Sequence, residues 1–404
     1  MKTTGYISNL TPLRGIAAML TVIFHVDLML GLGGNSLVKT ADSLFLSRMY
    51  LMVDFFFILS GFVMCHVYGK WFRDSVSASE FRRFTIARFA RIYPLHLLSL
   101  LSMVVILTVA GYAGVPKHFI FEPNNNVWSF ISNLLLIQAM NVHDWFTWTH
   151  AAWSISVEWW MYMLFPFLVR PFVNMGWAGR IAVVAFSYAG YLLLTFVILR
   201  NAPAPAALPF FTADPLNNTI NACVQYSFLR CLSGFMLGMI ANQVYKEDWG
   251  KGLLANGYVF LALTAGMLVC MHFATYDFIT VSFLPFMLLS AAYGSPKMNS
   301  FFGTKALQRL GDLSFSIYLM HQPLMLIIIK AYSYYQNKTE GIYGPPPVPS
   351  ILPAWIICIA FILLTLIVCS VTYRFVEVPA RNYLNHKFGG RKKEYEAAVA
   401  GSVG

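Results

Sequence analysis

The stretch Leu10–Val26, LTPLRGIAAMLTVIFHV, decides the fold, because it is an apolar segment of helix length with Arg14 near its start and His25 near its end. These two residues are eleven positions apart, and at about 100° per residue eleven steps of an α-helix return to within about 20° of the same face. A rise of about 1.5 Å per residue puts them about 16 Å apart along the axis, about half of a hydrocarbon core. We predict a membrane helix with Arg14 near one surface and His25 deep in the bilayer.

The shared face of Arg14 and His25 predicts a polar interior. An ionisable side chain in a membrane helix is costly unless it faces a hydrated cavity or a polar partner, so a functional cavity is the first hypothesis. The alternative is that Arg14 extends to the membrane surface and that His25 makes a structural hydrogen bond. The two residues alone leave both interpretations open.

The composition excludes a soluble globular protein. Of the 404 residues, 58% are hydrophobic and only 11% are charged, whereas soluble proteins carry about 25% charged residues. The formal net charge of +11 arises from basic residues spread over short loops between apolar runs, which fits the positive-inside rule and not nucleic acid binding. The six cysteines show no metal-ligand spacing, so we predict no metal site.

The apolar runs predict an all-α polytopic membrane protein with about ten transmembrane helices. The predicted spans are 10–26, 50–68, 92–112, 153–169, 181–199, 225–244, 253–272, 278–293, 313–332 and 351–373. The segment Trp128–Met140 is interpreted as re-entrant or interfacial, since a span needs about 20 residues. Basic residues between 69 and 91 and after Arg374 place both termini in the cytoplasm. We assign 1–385 to a membrane domain and 386–404 to a short basic cytoplasmic tail.

Three ionisable residues in the predicted spans point to chemistry. His25, Asp54 and Glu158 are all expected in the outer half of the membrane, so that an imidazole and two carboxylates meet at similar depth. General base catalysis uses this combination, because a carboxylate fixes the tautomer of the imidazole while its other nitrogen takes a proton. A proton-coupled transporter uses the same residue types, so these residues leave both functions open.

Two further pairs of residues lie three positions apart on their helices. Arg88 and Arg91 share a face at the cytoplasmic end of the third span, where fixed guanidinium groups suit a polyphosphate ligand. The alternative is that they bind lipid head groups and set the topology. Tyr318 and His321 share a face in FSIYLMHQPL, where a structural hydrogen bond is the alternative to catalysis by His321.

Together these segments resemble the family 3 integral-membrane acyltransferases, which transfer acyl groups from acyl-CoA to sugars, often on exported glycans. The matching segments occur in family order and cover nearly the whole chain. They are Arg14 with His25, VDFFFILSGFVM (53–64), the Arg88-x-x-Arg91 pair, WSISVEWWMY (153–162), LSFSIYLMHQPL (313–324) and YRFVEVPAR (373–381).

The resemblance implies that His25 is the catalytic base, that Arg14 supports the donor or the site, and that the arginine pair binds the phosphates of CoA. The candidate catalytic residues are His25, Asp54 and Glu158. The candidate donor-binding residues are Arg14, Arg88, Arg91, Tyr318 and His321. Members often have a second acid after the Glu of the WSxSVE motif, but Trp159 and Trp160 follow it here, so no role for paired carboxylates is carried over. Some members also carry a C-terminal hydrolase-like domain. None follows the last predicted span, so we expect the membrane domain or a separate partner to complete the transfer.

The resemblance therefore implies an O-acyltransferase in a bacterial plasma (inner) membrane. The donor is expected to be acyl-CoA, acetyl-CoA in the first instance, and the acceptor a hydroxyl of a sugar or of an exported or lipid-linked glycan such as an exopolysaccharide. Membrane lipids, a second copy of the chain and glycan-assembly proteins are the other expected partners. The alternative function is a proton-coupled transporter or lipid-linked sugar flippase, which predicts an inverted repeat that the sequence does not reveal.

Overall fold

A computed structural model describes residues 6–32, 36–39, 41–117, 122, 124–201, 218–340 and 351–389, and every regular element in these ranges is helical. The helices are α1 (Leu10–Leu32), α2 (Met52–Tyr68), α3 (Ala78–Tyr112), α4 (Val127–Leu134), α5 (Ala152–Val173), α6 (Trp177–Leu193), α7 (Leu199–Asn201), α8 (Ser227–Lys246), α9 (Lys251–Leu254), α10 (Gly257–His272), α11 (Asp277–Tyr293), α12 (Pro296–Phe302), α13 (Lys305–Asp312), α14 (Ser314–Glu340), α15 (Ile351–Thr372) and α16 (Val378–Phe388). A 3-10 helix, Leu46–Leu51, precedes α2, and the π-helical segments Leu194–Ile198 and Tyr373–Glu377 follow α6 and α15.

All ten predicted spans fall on helices, and several of these helices identify an integral membrane protein. In the described ranges six are long and apolar enough to cross a bilayer: Leu10–Gly31, Leu46–Tyr68, Ala78–Tyr112, Trp177–Ile198, Ser314–Thr339 and Ile351–Phe388. A seventh arises if α11 and α12, which are bent by 96°, form one broken span. Ten crossings and cytoplasmic termini remain predictions. The tail residues 390–404, which include Arg391, and the proline loop at 345–347 lie outside the described residues.

Two boundaries differ from the prediction. The basic loop 69–91 is half helical, because the Ser77 side chain caps α3 by accepting a hydrogen bond from the backbone N–H of Glu80, and the helix begins at Ala78. At the other end, α16 continues to Phe388, beyond the predicted domain limit at 385.

The segment Trp128–Met140, which was predicted not to cross, contains only the eight-residue α4. This helix is about 12 Å long, which is too short to span a bilayer.

The closest helix packing is between α2 and α8. A Cβ atom on Gly61 would lie 2.0 Å from the Phe235 carbonyl oxygen, and one on Gly238 would lie 1.9 Å from the Ile58 carbonyl oxygen, so only glycine permits this approach. Most of α8 is buried inside the bundle, including Arg230. A helix that faces protein and not lipid needs no continuous apolar surface, which explains why α8 is not among the six apolar spans.

The α1 helix contacts α2, α13, α14 and α15, so its polar face lies inside the bundle. Near the C-terminal half of α1, a buried ion pair connects the 3-10 helix Leu46–Leu51 with α11. The Arg48 guanidinium donates to the Asp277 carboxylate at 2.7 Å, and the Tyr50 hydroxyl donates to the other carboxylate oxygen at 2.7 Å. This network fixes Tyr50, one of the residues that surround His25.

Candidate active site

Two adjacent pockets contain most of the predicted site residues. The first, here called the arginine pocket, is lined among others by Arg14, Ser60, Arg88, Arg91, Glu158 and Tyr162. The second, here called the histidine pocket, is lined among others by His25, Tyr50, His150, Trp153, Asn221 and Gln322. Tyr318 lines both pockets.

Arg88 is held in the arginine pocket mainly by aromatic side chains. Its guanidinium donates to the Tyr68 hydroxyl at 2.6 Å and lies 4.9 Å from the centre of the Tyr68 ring and 5.8 Å from that of Tyr162. Its Nε atom is buried and has no hydrogen-bond partner in the described part of the chain. The group is therefore oriented by its aromatic neighbours, and not all of its donors are used within the described ranges.

Arg91 is fixed differently, by an ion pair with Glu377. The other carboxylate oxygen of Glu377 accepts a hydrogen bond from the Ser316 hydroxyl at 2.7 Å, and the Arg91 guanidinium lies 5.4 Å from the centre of the Phe315 ring. Glu377 ends the π-helical segment after α15, so the YRFVE motif supplies the acid that orients Arg91. This role of Glu377 was not predicted, because no spacing in the sequence connects it with Arg91, which is 286 positions away.

Arg14 completes the cluster, and its buried Nε likewise has no partner among the residues the structure describes. Three guanidinium groups line the pocket together with the Glu158 carboxylate, and Glu377 pairs with Arg91 from outside the lining, so positive charge still predominates. Such a cluster of planar, permanently charged donors suits phosphate groups.

Glu158 lies with the arginines and not with His25, which corrects the prediction that they meet. Its carboxylate accepts a hydrogen bond from the Tyr162 hydroxyl at 2.5 Å, and that hydroxyl accepts one from Ser60 at 3.0 Å. The reason is depth: Trp153 lines the histidine pocket, and Glu158 follows it by five residues, about 7.5 Å further along α5 and past Tyr318.

Asp54 is the second correction, since it lines neither pocket. The Arg230 guanidinium donates to both of its oxygens, with Nε at 3.0 Å and a terminal nitrogen at 2.6 Å, and both side chains are fully buried. A buried guanidinium requires a charged partner, and Asp54 is that partner. Arg230 also donates to Asn221 at 2.8 Å and lies 5.3 Å from the Trp153 ring, so the pair supports the wall of the histidine pocket.

His25 has the tautomer that a base requires. Its Nδ1 atom lies 2.8 Å from the Thr21 carbonyl oxygen, which can only accept, so Nδ1 carries the proton. The Nε2 atom of the neutral ring therefore has a free lone pair. Both Arg14 and His25 line pockets, as their shared face predicts.

Tyr318 and His321 are both placed near His25. The Tyr318 hydroxyl forms a 2.7 Å hydrogen bond with Ser154 between the two pockets, a contact that the sequence analysis missed because its partners are 164 positions apart. His321 was grouped with the donor-binding residues, but the structure places it against His25, with ring centres 4.8 Å apart, and it lines neither pocket.

The fold and the two pockets define an integral membrane protein in which a cluster of arginine side chains adjoins a histidine. A family model described as an acyltransferase domain matches residues 7–374. The chain therefore belongs to the family 3 acyltransferases and is an O-acyltransferase enzyme.

Known relatives agree with this assignment at low identity. The acyltransferase MdmB of Streptomyces mycarofaciens is 28% identical over 328 residues, which are 78% of this chain and 77% of that protein. The O-acetyltransferase OatA of Staphylococcus aureus is 23% identical over 400 residues, 94% of this chain and 58% of OatA. Protein 2 in the picA locus of Rhizobium radiobacter is 31% identical over 173 residues, 42% of this chain and 80% of the relative. No solved structure matches the chain.

Proposed function

We propose that the enzyme transfers an acyl group, acetyl in the first instance, from acyl-CoA in the arginine pocket to a hydroxyl of a sugar or glycan in the histidine pocket. The observation that carries this proposal is the position of Tyr318, whose side chain lines both pockets. A guanidinium cluster and a base thus lie on the two sides of one residue.

The donor is inferred from the charges of the arginine pocket. Phosphates of CoA would accept charge-assisted hydrogen bonds from Arg14, Arg88 and Arg91. The extended pantetheine arm of CoA would then carry the thioester past Tyr318 toward His25, over the distance of about 16 Å that separates Arg14 from His25 along α1. The relative named O-acetyltransferase supports an acetyl group and an oxygen acceptor.

The acceptor is inferred from the lining of the histidine pocket. Among the described residues, none that lines it is Asp, Glu, Lys or Arg, whereas Tyr50, Trp145, Phe146 and Trp153 contribute aromatic rings. Aromatic faces pack against the apolar faces of sugar rings, and the few polar groups, such as Asn221, can orient hydroxyls. An uncharged sugar unit fits this surface.

The reaction follows from the tautomer of His25. Its Nε2 removes the proton of the acceptor hydroxyl as the oxygen attacks the thioester carbonyl, and the carbon–sulfur bond breaks. The CoA thiolate then receives that proton from His25, which yields the acyl ester and CoA. We favour direct attack over an acyl-histidine intermediate, because no carboxylate in the described part of the chain is hydrogen-bonded to His25 to make it a stronger nucleophile.

The test is transfer of labelled acetyl from acetyl-CoA to oligosaccharides by the full chain in lipid nanodiscs. His25→Ala should lower the rate by about 10²- to 10⁴-fold, the usual contribution of a general base, with unchanged CoA affinity. A purified His25→Ala protein that transfers at the wild-type rate would disprove the assigned base. Sugar transport into liposomes without acetyl transfer would instead support the transporter alternative.

A further inference from the structure

Gln322 is a buried carboxamide in the wall of the histidine pocket, and the proposed reaction leaves it without a role. Its side chain is 2% exposed and lines the pocket that contains His25. It follows Tyr318 by four residues on α14, which places it about 6 Å further from the arginine pocket on nearly the same helix face. The preceding residue, His321, packs against His25 with ring centres 4.8 Å apart. Gln322 therefore lies at the depth of His25.

One hydrogen bond fixes the orientation of this carboxamide. The backbone N–H of Ala151 donates to the Gln322 side-chain oxygen at 2.7 Å. A backbone N–H can only donate, so the amide oxygen faces Ala151 and the NH2 group is turned away from it. That NH2 group has no hydrogen-bond partner within the part of the chain that the structure describes. The pocket lining thus includes a buried, oriented amide whose N–H donors are unused.

The side-chain hydroxyls that line the histidine pocket are already engaged. Thr21 donates to a carbonyl of its own helix at 3.0 Å, and Tyr50 donates to Asp277 at 2.7 Å. The Tyr318 hydroxyl is hydrogen-bonded to Ser154 at 2.7 Å. Gln322 therefore offers donors where these hydroxyls do not.

Acyl transfer requires a donor of this kind. When the acceptor oxygen attacks the thioester carbonyl, the carbonyl oxygen takes up the electron pair of the π-bond and becomes an oxyanion. N–H groups that are fixed in position beforehand stabilise this charge well, because they need no reorganisation as it develops. The proposed function assigns the arginine side chains to the phosphates of CoA, so the oxyanion needs its donor in the histidine pocket.

We infer that Gln322 is a catalytic residue whose side-chain NH2 group stabilises the oxyanion on the thioester carbonyl. This inference rests on the proposed function. The acceptor hydroxyl loses its proton to His25 Nε2 as the new carbon–oxygen bond forms, and a Gln322 N–H donates to the oxyanion. The electron pair then returns to re-form the carbonyl, the carbon–sulfur bond breaks, and the CoA thiolate takes the proton from His25.

Matched substitutions separate the NH2 group of Gln322 from its oxygen. Gln322→Glu keeps an oxygen for the Ala151 N–H but puts a second oxygen in place of the NH2 group, which repels the oxyanion. Gln322→Met removes both groups and keeps a side chain of similar length. We expect kcat to fall about 10²- to 10³-fold in both variants, as when one oxyanion donor is removed. KM for acetyl-CoA should change little, since the charge develops only in the transition state.

Asn221 supplies a control in the same pocket. Its side-chain oxygen accepts a hydrogen bond from Arg230 at 2.8 Å, and it belongs to the segment before α8. Asn221→Asp keeps that oxygen and adds the same negative charge to the pocket as Gln322→Glu. We expect it to raise KM for the acceptor and to lower kcat less than Gln322→Glu does. An equal fall of kcat in the two variants would attribute the loss to the added charge and overturn the inference.

Steady-state kinetics per folded molecule in lipid nanodiscs, with acetyl-CoA and the acceptor varied in turn, measures these effects. Wild-type kcat in Gln322→Glu, with a lower melting temperature in Gln322→Met, would show that Gln322 only holds Ala151 and would overturn the inference. A raised KM for the acceptor with unchanged kcat would overturn it too, because Gln322 would then bind the sugar. If the wild-type enzyme transfers no acetyl, or if His25→Ala does so at full rate, the proposed function fails and the inference fails with it.

Discussion

The arginine pocket and the histidine pocket share Tyr318 but are built on opposite principles. The arginine pocket is lined by charged side chains, and two of them are oriented by a neighbour: Arg91 by Glu377 and Arg88 by Tyr68. In the histidine pocket no charged side chain lines the surface within the described ranges, and an aromatic wall surrounds His25. The charges that stabilise that wall, Asp54 and Arg230, lie behind it.

This difference separates binding from chemistry. The phosphates of CoA would keep their charge throughout the reaction, so contacts to them contribute equally in the ground and transition states, and changes in the arginine pocket should alter affinity for the donor. A neutral base changes its charge only during the reaction, so changes around His25 should alter kcat. Substitutions in and behind each pocket test whether effects on donor affinity and effects on kcat separate in this way.

The largest effect is expected behind the histidine pocket. Asp54→Ala leaves the buried Arg230 guanidinium without its partner, which should destabilise the protein by about 3–5 kcal/mol. Thermal unfolding followed by tryptophan fluorescence measures the loss. The control is Asp54→Leu combined with Arg230→Met, which leaves no buried charge and should recover much of the stability. Wild-type unfolding with lost activity in Asp54→Ala would restore the catalytic role that the sequence predicted.

The faces of single helices are what the sequence predicts best. The spacing of Arg14 and His25 places both side chains toward the interior, and both line pockets. The three-residue spacing of Arg88 and Arg91 places both in one pocket. Helical periodicity determines these relations, because both members of each pair belong to one helix.

Relations between helices were harder to predict. Asp54 and Arg230 are 176 positions apart, and no spacing rule connects them, so the sequence paired Asp54 with the nearer His25 instead. Glu158 was predicted at the depth of His25 because its depth was counted from the end of its own helix. The sequence does not show that Tyr318 of α14 lies between Trp153 and Glu158. The burial of α8 among other helices is a further relation of this kind, because hydropathy does not record which helices are neighbours.

The second largest effect is expected from substitutions in the arginine pocket. Arg88→Ala should weaken CoA binding by about 10- to 150-fold, because a charge-assisted hydrogen bond contributes about 1.5–3 kcal/mol. The change should appear in KM for acetyl-CoA and not in kcat. Arg88→Lys should recover affinity only in part, since an ammonium lacks the planar fork. Arg83→Ala, on the same helix but outside the pocket lining, is the matched control for loss of basic charge. Unchanged CoA affinity in Arg88→Ala would show that the cluster binds another anion or lipid head groups.

The smallest effect is expected at Tyr318, where the two pockets meet. The hydrogen bond between Tyr318 and Ser154 joins α14 to α5 across the route that a thioester would take to His25, and a neutral hydrogen bond contributes about 0.5–1.5 kcal/mol. We call the Tyr318–Ser154 pair between the two pockets the partition. If the hydrogen bond only holds this partition closed, Tyr318→Phe should leave kcat unchanged or raise it by up to about 13-fold. Ser154→Ala should then change kcat in the same direction. In the Phe variant the Ser154 hydroxyl can still donate to the Ala151 carbonyl at 3.2 Å, so little stability should be lost. If the phenol instead contacts the donor, Tyr318→Phe should raise KM for acetyl-CoA while Ser154→Ala does not. Steady-state kinetics of the two variants in parallel therefore assigns Tyr318 either to the partition or to the donor site.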